Sequence, residues 1–423
     1  MKRNDTVDAQ VSVLTGGKDC HYTFGLVTAL AARGLKIELI GGDDFEEAGW
    51  ALPPDIKLIN LRGDGNLRAS LLKKIRRVLI YYVRLLLYAA TARPKVFHIL
   101  WNSKFELFDR TILMVFYRLL GKKIALTAHN VNAGERDGAD GFINRVSLRA
   151  QYRLCDAIFA HTNKMKAQLV SDFGVADEKI FLIPFGINNA VPQTELNREN
   201  ARQRLGLQAE HKVILFFGNV APYKGLHYLV EAFESIAMEE TQARLVIAGR
   251  PKGPPEYWKR ICADLENKPW RGRVSQTMDF IPDSDIEIYF KAADVLVMPY
   301  VHIFQSGILF LAYSFGLPVI ATDVGSLKED IVEGQTGFTC QPENGAALAE
   351  CIRAYFRSDL YRQLETRRSE IIHFAGEKHS WKQVATTTTK AYSQIMSEKR
   401  DPGLVSKMDK HDEALSFDSH SGL

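Results

Sequence analysis

Short apolar runs that end on glycine, proline or a small polar loop, each leading into a one-faced helix, recur along the chain. That alternation restricts it to parallel α/β sheets. The first unit is the strand Val11 to Leu14, the loop TGGKDCHY and a helix carrying Phe24, Val27, Leu30 and Ala31, with Gly34 as its stop signal. Strands Lys36 to Ile40, Val96 to Leu100, Ile124 to Ala128, Ile158 to Ala160 and Ile180 to Ile183 follow, and Pro184 closes this half. The second half repeats the scheme with Val213 to Phe217, Arg244 to Ala248, Asp294 to Met298 and Val319 to Ala321. In open sheets of this kind ligands sit beyond the carboxyl ends of the strands, so the loops there are where function is expected.

A chain of 423 residues is too long for one ordinary core. The polar stretch Asn188 to Asn200, with Pro192, reads as a linker. The expected fold class is two Rossmann-like, doubly wound parallel-sheet domains facing a central cleft. Their bounds are 1–190 for the first domain and 191–375 for the second. A closing helix covers 376–399, with Trp381, Val384, Tyr392 and Ile395 as anchors, and a polar tail over 400–423 is expected to be disordered.

A net charge of +4 gives no licence for nucleic acid as a partner. Cys20, Cys155, Cys262, Cys340 and Cys351 are scattered, without a CxxC pair or zinc spacing, which favours a reducing compartment and no metal. The polar N-terminus reads as no signal peptide, and no apolar run is long enough to span a bilayer, so the expected location is cytoplasmic. One segment qualifies that reading. RASLLKKIRRVLIYYVR, from Arg68 to Arg84, sets Leu71, Leu72, Ile75, Val78, Leu79, Tyr82 and Val83 at helical spacing among Lys73, Lys74, Arg76 and Arg77. A basic amphipathic helix can lie on an anionic membrane surface, which would place the protein peripherally at the inner face of the cell membrane. The simpler reading is a helix that buries its apolar face against its own domain.

The segment VHIFQSGILFLAYSFGLPVIATDVGS (301–326) runs from a loop containing Gln305, Ser306 and Gly307 into an apolar helix that stops at Gly316. Backbone N–H groups at a helix start lack internal partners and carry partial positive charge, so small residues there make a phosphate seat. A helix start packed for stability alone is the alternative. ILFFGNVAPYKGLHYLVEAF (214–233) adds Lys224 in a strand-to-helix loop between Gly218 and Gly225, and this is not a Walker A pattern. Lys224 reads either as a solvated surface group or, paired with that helix start, as a diphosphate ligand. His129 in TAHNVNAGERD stands at the carboxyl end of a strand, as a hydrogen-bonding group for a sugar or phosphate or as a structural histidine. His161 reads as structural, with Thr162 capping the next helix. FIPDSDIEIYFKAADVLVMPY, with Ile281, offers a loop to a nucleotide base or is an ordinary connection. Gly16-Gly17 is not the GxGxxG fingerprint, which counts against a nicotinamide oxidoreductase.

In order and spacing, several of these segments resemble a retaining glycosyltransferase of family 4 with the GT-B fold. They are GGKDCHYTFGLVTALAARG, LTAHNV, KIFLIPFGI, FFGNVAPYKGL, LVIAGRP, AADVLVMPY, SGILFLAYSFGLPVIATDVGSLKEDIVEGQTGF and HSWKQVATTTTKAYSQI. The resemblance implies a nucleotide diphosphate sugar donor in the second domain and a glycan or polyprenyl-linked glycan acceptor in the first. It implies no cofactor and no metal. It matches His129 and Lys224 to the family's cleft histidine and diphosphate lysine, and Gly16 and Gly17 to its glycine loop. Asn219, Gly225, Gly249, Ile281, Gln305, Ser306, Gly307 and Ile308 fall on donor-binding positions. The chain departs from the family at Asn219, where an arginine is usual, and at Ile303 and Leu311, where the paired glutamates stand. A catalytically silent sugar-nucleotide-binding homologue that supports a partner transferase is the alternative those departures raise.

Overall fold

The computed structural model describes residues 10–63 and 70–397, so Arg68, the last two residues of the expected closing helix and the tail lie outside the described residues. The first sheet holds β1 (Val11–Leu14), β2 (Ile37–Gly41), β3 (Ile56–Asn60), β4 (Val96–Ile99), β5 (Lys123–Ala128), β6 (Ala157–Ala160) and β7 (Ile180–Leu182). Their spatial order is β3-β2-β1-β4-β5-β6-β7, all parallel. The second sheet holds β8 (Lys212–Phe217), β9 (Ala243–Ala248), β10 (Val274–Thr277), β11 (Val295–Met298), β12 (Val319–Thr322) and β13 (Gly337–Cys340), in the order β10-β9-β8-β11-β12-β13, again all parallel. Helices cover both faces, so the central strands are buried on both sides and read as continuous apolar runs. The sequence reading found these and missed β3, β10 and β13. All three are edge strands with part-exposed, mixed composition, which leaves no apolar run to detect.

Each sheet reverses its winding once, between β1 and β4 in the first and between β8 and β11 in the second. At the first reversal the loops after the two strands touch. A Cβ added to Gly16, at φ +61°, would lie 2.4 Å from the Trp101 carbonyl oxygen. At the second, a Cβ on Gly225 would lie 1.9 Å from the Pro299 oxygen. These crevices are where ligands of doubly wound sheets bind.

The chain crosses to the second domain after β7 and returns through its last helix, Trp381–Ser397. Residues 376–378 belong to the preceding helix, Leu364–Lys378, which corrects the expected start of the closing helix. The last helix packs on the Cys20–Ala31 helix, with Val384, Tyr392 and Ile395 in the first domain's core. Trp381 ties the crossing. Its indole N–H donates to the Ile187 oxygen at 2.7 Å, and its ring occupies the space a Cβ would take at Gly25 and at Gly186, 2.3 Å away in each case. Alanine at position 25 gains about 1 kcal/mol of helix propensity but overpacks a filled site, a cost of about 1–3 kcal/mol. Gly25→Ala should therefore lower unfolding free energy by about 1 kcal/mol in denaturant titration, and the loss should vanish in a Trp381→Leu background.

Candidate functional site

A cleft of about 560 Å³ opens between the two domains, walled by the loops after β8, β9, β10 and β11 and by the start of the Cys20–Ala31 helix. Lys224 reaches it from the loop after β8. Its ammonium lies 5.0 Å from the Tyr300 ring centroid, over the sheet's winding reversal, and the residue is only 6% exposed. Among the described residues no carboxylate pairs with it. Gly218, at φ +102°, keeps the approach open, because a Cβ there would stand 3.0 Å from the ammonium nitrogen.

The Gly307–Ser314 helix begins on the same cleft wall. Ser306 caps it in extended geometry, with no hydrogen bond from its hydroxyl to the helix, and the Gly307 and Ile308 N–H groups find no acceptor among the described residues. Gln305 donates to Asp330 at 3.0 Å, while its own amide oxygen is buried without a partner. The cleft thus presents a buried cation, two unpaired amides and a buried acceptor, a set that suits a phosphate ester with hydroxyl groups beside it.

Of the residues singled out from sequence, Lys224, Asn219, Gly249, Ile281, Gln305, Ser306, Gly307 and Ile308 line this cleft. Gly225 does not. Its left-handed backbone (φ +64°) lets the loop pass close under Pro299, so its part is conformational. Gly16 and Gly17 are also off the wall. Gly17 borders a separate cavity of about 280 Å³ in the first domain, beside Arg62 and Ser103.

His129 is likewise not on the wall. It lies one layer behind, stacked on Trp101 at 4.2 Å and edge-on to Tyr22, which does line the cleft. Burial, then the neighbouring His161, pushes the His129 imidazole well below its ordinary pKa, so it is neutral. The hydrogen bonds set its tautomer. His161 faces the Ile183 oxygen with Nδ1, which must therefore carry the proton, and its Nε2 then accepts from His129 Nδ1 at 3.2 Å. His129 Nε2 is left as a bare, buried acceptor. It suits a hydroxyl donor and not a phosphate oxygen, which narrows the sequence expectation.

Three groups escaped the sequence reading. Arg250 lines the cleft directly after Gly249 and has no ion pair among the described residues. Its loop is zipped to the Asn219 loop, with Val220 N–H donating to the Arg250 oxygen at 2.9 Å and Lys252 N–H to the Val220 oxygen at 2.8 Å. The two loops thus run side by side along the cleft wall. The signal was a basic residue right after a strand-ending glycine. The other two, His21 and Asp283, meet across the cleft, Nε2 to Oδ2 at 2.7 Å. No sequence signal pairs residues so far apart. Ile303 and Leu311 line the wall as apolar groups, and the second domain's carboxylates there are Asp279 and Asp283.

Two facing parallel-sheet domains with phosphate-seeking groups at a winding reversal define the GT-B class of glycosyltransferases. A family model described as Glycosyltransferase Family 4 matches residues 21–191, and one described as Glycosyl transferases group 1 matches residues 211–358. The chain belongs to these family-4-type glycosyltransferases. It is 24% identical over 299 residues to a D-inositol 3-phosphate glycosyltransferase of Corynebacterium efficiens, covering 67% of this chain and 68% of that protein. It is 28% identical over 257 residues to an uncharacterised glycosyltransferase of Methanocaldococcus jannaschii, covering 60% of this chain and 64% of that one. The matches thus span about two thirds of these relatives' length. Among solved structures, sucrose-phosphate synthase of Thermosynechococcus elongatus shares the fold with a TM-score of 0.72 at 19% identity, over 92% of this chain and 99% of that one. HepE of Anabaena, solved with UDP-glucose, scores 0.69 at 16% identity, over 92% and 100%.

The bridge across the cleft includes a group whose charge depends on pH. Burial is the largest single influence on the His21 imidazole and lowers it; the hydrogen bonds to Asp283 and Cys20 and the charges on both together outweigh it and hold the group at about 10. Its folded pKa exceeds the ordinary 6.5, so the pair's stabilisation is full below that pH and fades as pH rises towards 10. The melting-temperature gap between the wild type and His21→Ala should shrink over that range. A gap independent of pH would show that the imidazole is neutral throughout.

Proposed function

We propose that this glycosyltransferase moves a sugar from a nucleotide diphosphate sugar to a glycan or polyprenyl-linked glycan acceptor, with retention at the anomeric carbon, on the cytoplasmic side of the cell membrane. The observation that carries the reading is the buried, unpaired Lys224 ammonium on the same cleft wall as the open Gly307 helix start. A diphosphate satisfies both. The UDP-glucose held by HepE is a donor of this chemical class and supports the reading.

In this reading the bond between the anomeric carbon and the distal phosphate oxygen breaks while the acceptor oxygen bonds to the same face. The acceptor's hydroxyl proton passes to the departing phosphate. Lys224 and Arg250 neutralise the charge that builds on the diphosphate, with the Gly307 and Ile308 amides, and no resident metal is invoked. Gln305 Oε1 accepts from a donor hydroxyl. His129 acts from behind Tyr22, positioning the wall that the sugar meets.

Charge-assisted hydrogen bonds contribute about 1.5–3 kcal/mol. Lys224→Ala should therefore lower kcat/KM about ten- to a hundredfold. Arg250 is exposed, and its replacement by alanine should cost only about fivefold. Sugar-nucleotide turnover by the pure protein, followed by proton NMR of the product's anomeric signal, tests both activity and stereochemistry. An inverted product overturns the retention, and tight donor binding without turnover assigns the chain the silent role.

A further inference from the structure

The helix Leu71–Thr91 carries two apolar stripes, not one. Tyr81, Tyr82, Leu85 and Ala89 face the domain and are buried. Leu72, Ile75, Leu79, Val83 and Leu87 recur at three- and four-residue spacing on another face, and they are 79, 49, 55, 57 and 63% exposed. The simpler sequence expectation, that this helix spends its apolar residues on its own domain, is therefore wrong for half of them.

The exposed stripe does not stand alone. Of the twenty-one large apolar side chains exposed among the described residues, fifteen lie between positions 71 and 146, so the exposure is concentrated in one stretch of the first domain and is not spread over the surface at large. Besides the helix they include Phe105, Leu107, Ile112 and Leu119 on or beside the helical run 106–119, and Phe142 and Ile143 at the start of the Phe142–Leu154 helix. The three elements are tied together. Tyr82 stacks on Phe105 at 5.4 Å and donates to Asp109 at 2.9 Å. Arg110 donates to Asn144 at 2.9 Å.

Charge says what covers this face. Residues 70–123 hold twelve Lys and Arg against two acidic residues, whereas the whole chain carries only +4. Of the two carboxylates Asp109 is buried, and Glu106 is taken by Arg110. Lys73, Arg76 and Arg84 stand exposed beside the apolar stripe, and the Leu71–Thr91 helix contains no acid at all. A second copy of the same face would set this positive charge against itself. An apolar stripe edged by basic heads with long alkyl stems matches the boundary between acyl chains and anionic headgroups. Among the described residues no helix is long and apolar enough to cross a membrane, so the face would lie on the bilayer and not in it.

We propose that the outer faces of the Leu71–Thr91 helix, the 106–119 run and the start of the Phe142–Leu154 helix form one docking plate for an anionic lipid bilayer. The plate belongs to the first domain, the side to which the acceptor reading assigns its substrate. It stands on surface chemistry alone and holds whether or not that reading survives.

The test is sedimentation of the full chain with vesicles of phosphatidylcholine alone and of equimolar phosphatidylcholine and phosphatidylglycerol. Binding is expected to the anionic vesicles only and to weaken as salt is raised. Lys73→Glu with Arg76→Glu should cut affinity about tenfold or more, since each basic group near such a surface contributes several-fold. Leu72→Ser with Leu79→Ser should reduce it at unchanged charge. Phe142→Ser with Ile143→Ser, on a different helix, should also reduce it, which separates a three-element plate from a single helix. These sites are exposed, so the melting temperature should hold. Equal binding to neutral and anionic vesicles, or no binding to either, overturns the proposal. So does a dimer that Leu72→Ser with Leu79→Ser abolishes in a protein indifferent to vesicles, because a second copy would then cover the face.

Discussion

A largely buried lysine whose ammonium faces an open cavity without an anionic partner among the described residues is the constraint around which the cleft is arranged. Lys224 has an aromatic face and that cavity beside its nitrogen where an enclosed lysine is ordinarily paired with a carboxylate. The surrounding backbone is shaped to keep that access. Gly218, Gly225 and Gly249 all hold left-handed or strained conformations that let neighbouring loops close in without filling the space in front of the nitrogen. In the proposed reading the partner that completes the arrangement is the donor's diphosphate, which also meets the Gly307 helix start on the same wall.

The second requirement is that the first domain be held against this wall. The last helix contributes through Trp381 between Gly25 and Gly186, and His379, just before it, donates from Nδ1 to the Phe185 oxygen at 3.1 Å. Thr162 and Ser326 share a hydrogen bond at 2.9 Å farther along the interface. The His21–Asp283 bridge is the part of this contact that crosses the cleft itself, and it has a charge state that solvent can change.

The departures from the usual family pattern resolve unevenly. At position 219, where the family pattern has an arginine, the proposed reading gives its part to Arg250, whose loop is hydrogen-bonded to the Asn219 loop and lines the same cleft. The missing glutamates are not met by a neighbour in the same way. Ile303 and Leu311 leave that part of the wall apolar, and Gln305, between them in the chain, has an unpartnered buried oxygen.

The architecture could be read from the chain before any coordinates, because a parallel strand buried on both faces must be a continuous apolar run, and the strand-end loops then mark the binding edge. Lys224 and the Ser306–Gly307 start were legible for the same reason, since each sits at a fixed offset from such a run. What only the tertiary structure decided is which groups meet and which face water. Periodicity showed a basic amphipathic helix over Arg68 to Arg84 but could not tell its buried stripe from its exposed one, since both have the same spacing. It placed His129 at a strand end, yet the layer in which the ring lies and its tautomer follow from Trp101, Tyr22 and His161, contributed by other strands and helices. The His21–Asp283 contact spans 262 positions, and no local pattern encodes a distance set by how two domains fold onto each other.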